Sequence, residues 1–265
     1  MTDDTARSFD ADRAAEALLA LRAARARLDR LDPAVCPRTE SEGAEVQRAM
    51  ARRLGADPPA GFKIGATARR MQNYLGLSGP AAGFMPASGI HPSDAALRHA
   101  DFTRIGVECE LAVRLRHDLP AALCTREQAA DAVDAVMAAV ELVENRYGDL
   151  AALGTPALIA DQVFHAAAVL GEGTTDWRRL ELENLAGRMT VSGTVRGEGK
   201  GSDLLGHPLN CLVWLAGSEL AAAFGGLRKG QVILLGSVTP PIWLEAPAEV
   251  SVAFSPLPEV RLTLL

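Results

Sequence analysis

The sequence predicts an α+β fold: a helical N-terminal layer followed by a mostly β remainder. Three observations predict it. Helically spaced apolar residues dominate the first 55 positions, alternating apolar segments recur from residue 107 onward, and no linker, repeat or low-complexity tract divides the 265-residue chain. With 48% hydrophobic and 23% charged residues the composition is that of a folded globular protein, so widespread disorder is excluded.

Each element follows in chain order. Ala14, Leu18, Leu21, Arg25 and Leu28 recur at three or four residues, predicting a helix over about the first 30 residues that Pro33 and Pro37 end. Thr39-Glu-Ser-Glu42 spells a capping box, in which the Thr hydroxyl takes the amide of residue 42 and Glu42 reaches back. It opens a helix through Ala44, Met50 and Leu54 that Gly55 stops. Glycine and proline then interrupt residues 56–106, leaving loop-rich chain with a short strand at 62–64 and a short helix near 67–75. Long loops of this kind often carry function.

Residues 107–115 alternate. Val107, Cys109, Leu111, Val113 and Leu115 share one strand face, and Glu108, Glu110, Ala112 and Arg114 the other. A second capping box, Thr125-Arg-Glu-Gln128, predicts a helix through Ala132, Val136 and Ala139 that runs into a strand over 140–146. Further strands are expected at His165–Leu170, 188–196, 231–235, 249–254 and Val260–Leu264. One helix is expected over 208–224, with Pro208 at its first position and Gly225-Gly226 as its stop.

Several function classes drop out. Twenty-seven basic against 33 acidic residues give a net charge of −6, and no local run supplies a nucleic-acid footprint. No apolar stretch is long enough to cross a bilayer, and the opening residues 1–8 lack the apolar core of a signal peptide, so a cytoplasmic protein is expected. Cys36, Cys109, Cys124 and Cys211 form no C-x-x-C and read as reduced thiols. His91, His99, His117, His165 and His207 show no H-x-x-x-H spacing, and there is no G-x-S-x-G, Walker loop or G-x-G-x-x-G opening a helix.

Glu108-x-Glu110 is the strongest chemical signal. Residues i and i+2 of a strand point the same way, roughly 7 Å apart. Two such carboxylates repel, and a hard divalent cation relieves the repulsion. On its own E-x-E is equally the pattern of a solvent-facing strand. Glu141, set among Ala138, Val140, Leu142 and Val143, is an acid in apolar surroundings, where carboxylates rarely sit without a partner. Three carboxylates would form an oxygen face with positions open for a chelating substrate and water. Glu144, on the opposite face of its strand, is the competing third acid.

Lys63 lies in Gly61-Phe-Lys-Ile-Gly65, where partial burial suits an acid, a base or a carboxylate anchor; an edge-strand lysine reads the same way. Leu235-Gly-Ser-Val-Thr-Pro240 ends a strand with small residues and hydroxyls, suited either to binding a carboxylate or to a tight turn.

Five blocks in this order, GFKIG (61–65), VECELA (107–112), VELVENR (140–146), LGHPLN…WLA (205–216) and LRKGQVILLGSVTP (227–240), resemble the hydratase/decarboxylase branch of the fumarylacetoacetate hydrolase superfamily. The resemblance implies a mixed β-roll with an N-terminal helical segment over 1–60 and a catalytic β-roll over 61–265, together one structural unit. It implies Mg²⁺ or Mn²⁺ held by Glu108, Glu110 and Glu141, with Lys63 as the catalytic lysine. The resemblance also places Arg146, Gln162, Phe164, Gly236, Ser237 and Thr239 at substrate-binding positions.

A homo-oligomer acting on a small 2-oxo or 2-hydroxy acid in aromatic catabolism is implied, with neither nucleic acid nor membrane as partner. The reaction implied is hydration of a 2-hydroxy-2,4-dienoate. The alternatives are decarboxylation of a 2-oxo-enedioate and a non-catalytic partner subunit. Two departures stand out: Ala81 and Phe164 replace polar residues of the family pattern. They predict an apolar pocket that favours monocarboxylates with alkyl or aryl extensions over dicarboxylates, unless Gln162 or His165 supplies a polar group.

Overall fold

The computed structural model describes residues 9–148 and 153–265; the opening residues 1–8 lie outside the described range. Helix α1 (Ala11–Ala23) is capped by the Asp10 carboxylate on the Arg13 amide at 3.0 Å. It is shorter than its apolar spacing predicts. Arg25 turns left-handed (φ 49°), and the Leu28 amide bonds instead to the Arg146 carbonyl at 3.0 Å. Helix α2 (Glu40–Arg53) takes its cap from the Thr39 hydroxyl, but Glu42 reaches one residue further than a capping box requires, to the Arg38 amide at 2.6 Å. Ala14, Ala15, Leu18 and Leu21 of α1 are buried in the main core, as are Val46, Ala49 and Met50 of α2.

The loop-rich stretch holds more order than its punctuation suggests. Strand β1 (Gly61–Gly65) and helix α3 (Arg69–Leu75) are followed by β2 (Ala81–Met85), β3 (Ile90–Pro92) and β4 (Ala95–Leu97). The last two are three residues each, too short for alternation to register. Strand β5 (Ile105–Leu115) leads to helix α4 (Arg126–Ala132), whose Thr125–Gln128 capping box is complete. That helix does not extend through Val136 and Ala139. The chain turns extended at Val133 and enters β6 (Val133–Glu144), where those two residues face Val113 and Glu110. Pairing along nearly the whole of β5 outweighs the helical spacing.

Helix α5 (Thr155–Ala160) precedes β7 (His165–Leu170). The single strand expected over 188–196 is a hairpin, β8 (Ala186–Val191) and β9 (Thr194–Lys200), turned by Ser192 and Gly193 with φ of 47° and 77°. The single helix expected over 208–224 is two, α6 (Pro208–Ala216) and α7 (Glu219–Ala223). Gly217 caps the first, and the Ser218 hydroxyl caps the Ala221 amide at 3.1 Å. Strands β10 (Val232–Ser237), β11 (Ile242–Trp243), β12 (Ala248–Phe254) and β13 (Val260–Leu264) complete the chain.

Two sheets result. The larger runs β2-β1-β10-β5-β6-β7-β3 with β11 added to β5, and the smaller runs β4-β13-β12-β8-β9. Parallel pairs (β1·β10, β3·β7, β4·β13) among antiparallel ones make both mixed. The larger sheet is buried on both faces. Cys109, Leu111 and Val113 of β5 point into the main core, while Ala112, Ala135, Met137, Ala139, Ala168 and Leu234 form a second, smaller core. Glu108 and Glu110 share the face of Ala112, and Glu141 shares that of Ala139 and Met137. The acids therefore project from the side of the sheet that carries the small core, where alanines leave room beside them.

Candidate metal and substrate site

Strand register assembles the site. Glu108 lies directly opposite Glu141 in the β5·β6 pair, and Glu110 opposite Ser237 in the β10·β5 pair. Glu108, Glu110 and Glu141 each offer a carboxylate oxygen, and these atoms lie within 4.8 Å of one another. Glu141 accepts from Lys63 Nζ at 3.1 Å and from His165 Nδ1 at 2.9 Å, both on its Oε1. Lys63 is 1% exposed, Glu141 0% and His165 1%. Glu141 Oε2 is buried without a partner. Glu110 Oε2 accepts the Gly236 amide at 2.7 Å. Gly236 has φ 116°, and a Cβ there would meet Thr67 Cγ2 at 2.7 Å, so only glycine brings this amide to the acid.

The electrostatics are those of a site lacking a positive charge. Burial, with the nearby Glu141 carboxylate, pushes the Glu108 pKa up to about 8. Burial together with Glu141 and Glu108 raises that of Glu110 well above the ordinary value. Burial acts upward on Glu141 too, but Lys63 and His165 outweigh it and hold its pKa below normal. Burial lowers the pKa of His165, against the pull of Glu141, so a neutral imidazole donates Nδ1–H to Glu141 and leaves Nε2 buried without a partner. An oxygen-only cluster with one orphaned buried oxygen and two acids resisting ionisation fits a hard divalent cation.

Two adjoining cavities with shared wall residues lie on the Glu108 side of the cluster. The inner one, about 170 Å³, is lined by Glu108, Asn145, Val163, Phe164, Trp243 and Arg104 among others. The outer one, about 740 Å³, includes Thr67, Ser237 and Thr239, and shares Met71, Pro241 and Trp243 with the inner one. Gln162, Val163 and Phe164 all have left-handed backbone (φ 55°, 51° and 66°), an uncommon state for a β-branched residue in particular. Such strain persists where surroundings fix it, and here it presents Val163 and Phe164 to the inner cavity.

The structure treats the other expected residues differently. Phe164 lines the inner cavity, and Ser237 and Thr239 the outer one, with the Ser237 hydroxyl donating to the Thr239 carbonyl at 2.7 Å. Gly236 contacts Glu110. Gln162 Nε2 donates to the Phe84 carbonyl at 2.7 Å, and its Oε1 is buried without a partner. Arg146 lines neither cavity. Its guanidinium is fully engaged away from the cavities, by Asp161 at 3.2 Å and Glu144 at 2.8 Å, and Asp161 also takes Arg22. Glu144 is thereby removed as third acid, since it also accepts the Thr103 amide at 2.7 Å. Ala81 lies elsewhere as well, in a cleft with Ala44 and Trp214, because it faces α2 and α7 from β2.

Sequence reasoning named His165 only as a possible polar substitute and missed Asn145, Arg104 and Trp243. Their positions follow from the pairing of β5 with β6 and β11 and of β6 with β7, which local periodicity does not contain.

Comparison with known proteins agrees with this architecture. Residues 66–265 match the family model described as fumarylacetoacetate (FAA) hydrolase C-terminal. The chain is 33% identical over 183 residues to the 2-hydroxyhexa-2,4-dienoate hydratase of Comamonas testosteroni, covering 68% of each chain. It is 30% identical over 214 residues to the 2-keto-4-pentenoate hydratase of Burkholderia vietnamiensis, covering 80% of each. Among solved structures, 4-oxalocrotonate decarboxylase from Pseudomonas putida G7, complexed with magnesium and adipate, superposes with a TM-score of 0.88 at 22% identity, covering 96% of this chain and 97% of that one.

Proposed function

The chain belongs to the fumarylacetoacetate hydrolase family, in its hydratase/decarboxylase branch, and on that premise we propose that it is a lyase hydrating a 2-hydroxy-2,4-dienoate to a 4-hydroxy-2-oxo acid. The observation that carries the proposal is the buried Lys63–Glu141 contact at 3.1 Å, set beside two further carboxylates, of which Glu108 lines a mostly apolar cavity. Glu108, Glu110 and Glu141 would hold Mg²⁺ or Mn²⁺. Such a cation, when bound, supplies Lewis-acid stabilisation of charge on the substrate's carboxylate and 2-oxygen.

The chain's own groups do the rest. The enol hydroxyl loses a proton and the terminal carbon of the diene gains one, giving a 2-oxo-3-enoate. Water then adds its hydroxyl at C4 and a proton at C3. Lys63 Nζ, nearly water-free and tied to Glu141, is the group we assign to carry a proton in ketonisation. His165 fixes the Glu141 carboxylate through its Nδ1–H. Val163 and Phe164 exclude bulk water from the diene. Ser237, Thr239, Gly236 and Gln162 remain proposed pocket residues near the head group, and a cytoplasmic homo-oligomer is the proposed setting.

The test is turnover of a panel of 2-hydroxydienoates by purified protein, with product identification. A 4-hydroxy-2-oxo acid should form, chelator should abolish the activity, and Mg²⁺ or Mn²⁺ should restore it. Release of CO₂ from an enedioate without hydration would replace the hydratase reading by a decarboxylase one. Full activity in excess chelator would remove the role of the three acids.

A further inference from the structure

We propose that Arg104, stacked on Trp243, anchors a second, distal carboxylate, so that the preferred substrates are 2-oxo or 2-hydroxydienoic diacids with an apolar, conjugated middle. The inference rests on reading the Glu108–Glu110–Glu141 cluster as the place where the 2-oxo acid head binds.

The candidate anchor lies outward along one strand from the acids. From Glu110 the chain passes back through Glu108 and Gly106 to Arg104. Gly106 faces Trp243 in the β5·β11 register. A Cβ at Gly106 would lie 3.0 Å from the indole edge, so the missing side chain is what lets the indole settle against the strand. The Arg104 guanidinium stacks over that indole, 4.8 Å from the ring centroid. Glu108, Trp243 and Arg104 all line the same inner cavity, and between them its walls are chiefly apolar. A path from the acid cluster thus meets first a flat aromatic and apolar section and then a cation.

Arg104 differs from the other arginines near the site. Arg22 and Arg146 are engaged by Asp161 and Glu144, whereas among the described residues Arg104 has no carboxylate within ion-pair distance. The indole orients its guanidinium without neutralising it. Arg69 is also cationic, but it lines only the outer cavity. Spacing limits the ligand. Arg104 immediately precedes β5, so at strand rise it lies up to ~13 Å from Glu108, a gap that a five-carbon acid cannot bridge, while a chain of about seven carbons can close it with the arginine's own reach. The apolar-tail expectation drew on Ala81 and Phe164, and Ala81 lies outside this cavity.

The test separates binding from turnover by using saturated ligands that cannot be hydrated. Affinities of 2-oxoheptanedioate and 2-oxoheptanoate, identical but for the distal carboxylate, are measured calorimetrically with Mg²⁺-loaded protein. The wild type should bind the diacid about tenfold or more tightly than the monoacid, as expected for a charge-assisted hydrogen bond. Arg104→Gln should bring that ratio to within about twofold of one, and Arg104→Lys should keep part of it because charge without the planar fork remains. The exposed position of Arg104 makes folding of both variants checkable by their unchanged thermal transitions. Equal affinities in the wild type, or a diacid preference that survives Arg104→Gln, would overturn the proposal. No binding of either ligand would remove the head-group site and this inference with it. A preference lost in Arg104→Gln, in a protein that hydrates no dienoate, would leave this inference standing and defeat the proposed reaction.

Discussion

Glu141 uses its two oxygens differently, and that division organises the chemistry. Oε1 is saturated by Lys63 and His165, while Oε2 is buried and free to ligate. Replacing Lys63 by Met keeps the volume and removes both the proposed proton carrier and the strongest force holding the Glu141 pKa down. Lys63→Met is expected to lower kcat by ~10²–10⁴ and to shift metal binding to higher pH, as read by kinetics and by calorimetry across pH. An unchanged rate would reduce Lys63 to a structural cation. Glu108 supports a second prediction. Its pKa lies near about 8 without a cation, so at pH 7 it holds a proton that a cation must displace. Titrations at pH 7 in buffers of different ionisation enthalpy should show at least one proton released per cation, with affinity rising as pH rises through about 8. Between the ordinary 4.5 and about 8 the native state binds more protons than the unfolded chain, so the metal-free Tm should fall as pH rises through that window. Glu108 and Glu110 were legible because alternation is local. Glu141 was legible because an acid among Val and Leu demands a partner. The contact of His165 with Glu141 was not, because it exists only through the β6·β7 pairing.

At the scale of elements, two buried polar side chains tie separate segments together. Gln47 of α2 donates to the Ala82 and Ile159 carbonyls at 2.8 and 2.6 Å and accepts the Phe84 amide at 2.9 Å. Gln47→Leu fills the same space but orphans three buried backbone groups. At about 1–3 kcal/mol for each such group, discounted for relaxation, a loss of about 3 kcal/mol is expected in denaturant unfolding. A loss under ~1 kcal/mol would mean that water replaces the amide. Asp161 is the second tie, holding Arg22 of α1 and Arg146 ahead of the left-handed turn at residues 162–164. Burial pushes its pKa up, but the two arginines outweigh burial and hold it below the ordinary value. Its contribution is therefore present above the unfolded pKa and lost as pH falls through the lower folded value. Asp161→Asn should cost about 3–5 kcal/mol and also disturb Phe164, raising KM more than a distant mutation of equal ΔΔG. Element types were mostly readable from capping boxes and alternation. The misreadings share a cause. Val136 and Ala139 fit a helix until β5 claims them, and the 188–196 segment reads as one strand unless Ser192 is expected to accept φ of 47° before Gly193. Tertiary pairing and turn backbone decide both, and neither is written in a short window.

At the scale of the whole molecule, the N-terminal helical layer is tied into the same core as the sheet that carries the acids. Ala14, Ala15, Leu18 and Leu21 of α1 join the cluster that includes Phe62, Leu111 and Val140. Arg22 reaches Asp161, Gln47 reaches β2 and α5, and the Leu28 amide reaches Arg146. Apolar burial of this kind contributes roughly 1.5–3 kcal/mol for each large side chain, and removing α1 and α2 would also leave Asp161 with one arginine instead of two. The layer is therefore expected to be a condition for the sheet's stability rather than a module appended to it. Two measurements follow. The intact chain should unfold in one transition, with far-ultraviolet circular dichroism and tryptophan fluorescence coinciding. Trp177, Trp214 and Trp243 all lie beyond residue 60, so fluorescence follows the sheet and its helices, while the dichroism includes the N-terminal layer. The fragment 61–265, expressed alone, should lack a near-ultraviolet signal and fail to bind Mg²⁺, because the turn that presents Val163 and Phe164 loses its anchor. Separate transitions in the intact chain, or a fragment that folds and binds the cation, would show that residues 1–60 are an independent unit and that the acids need only their own sheet.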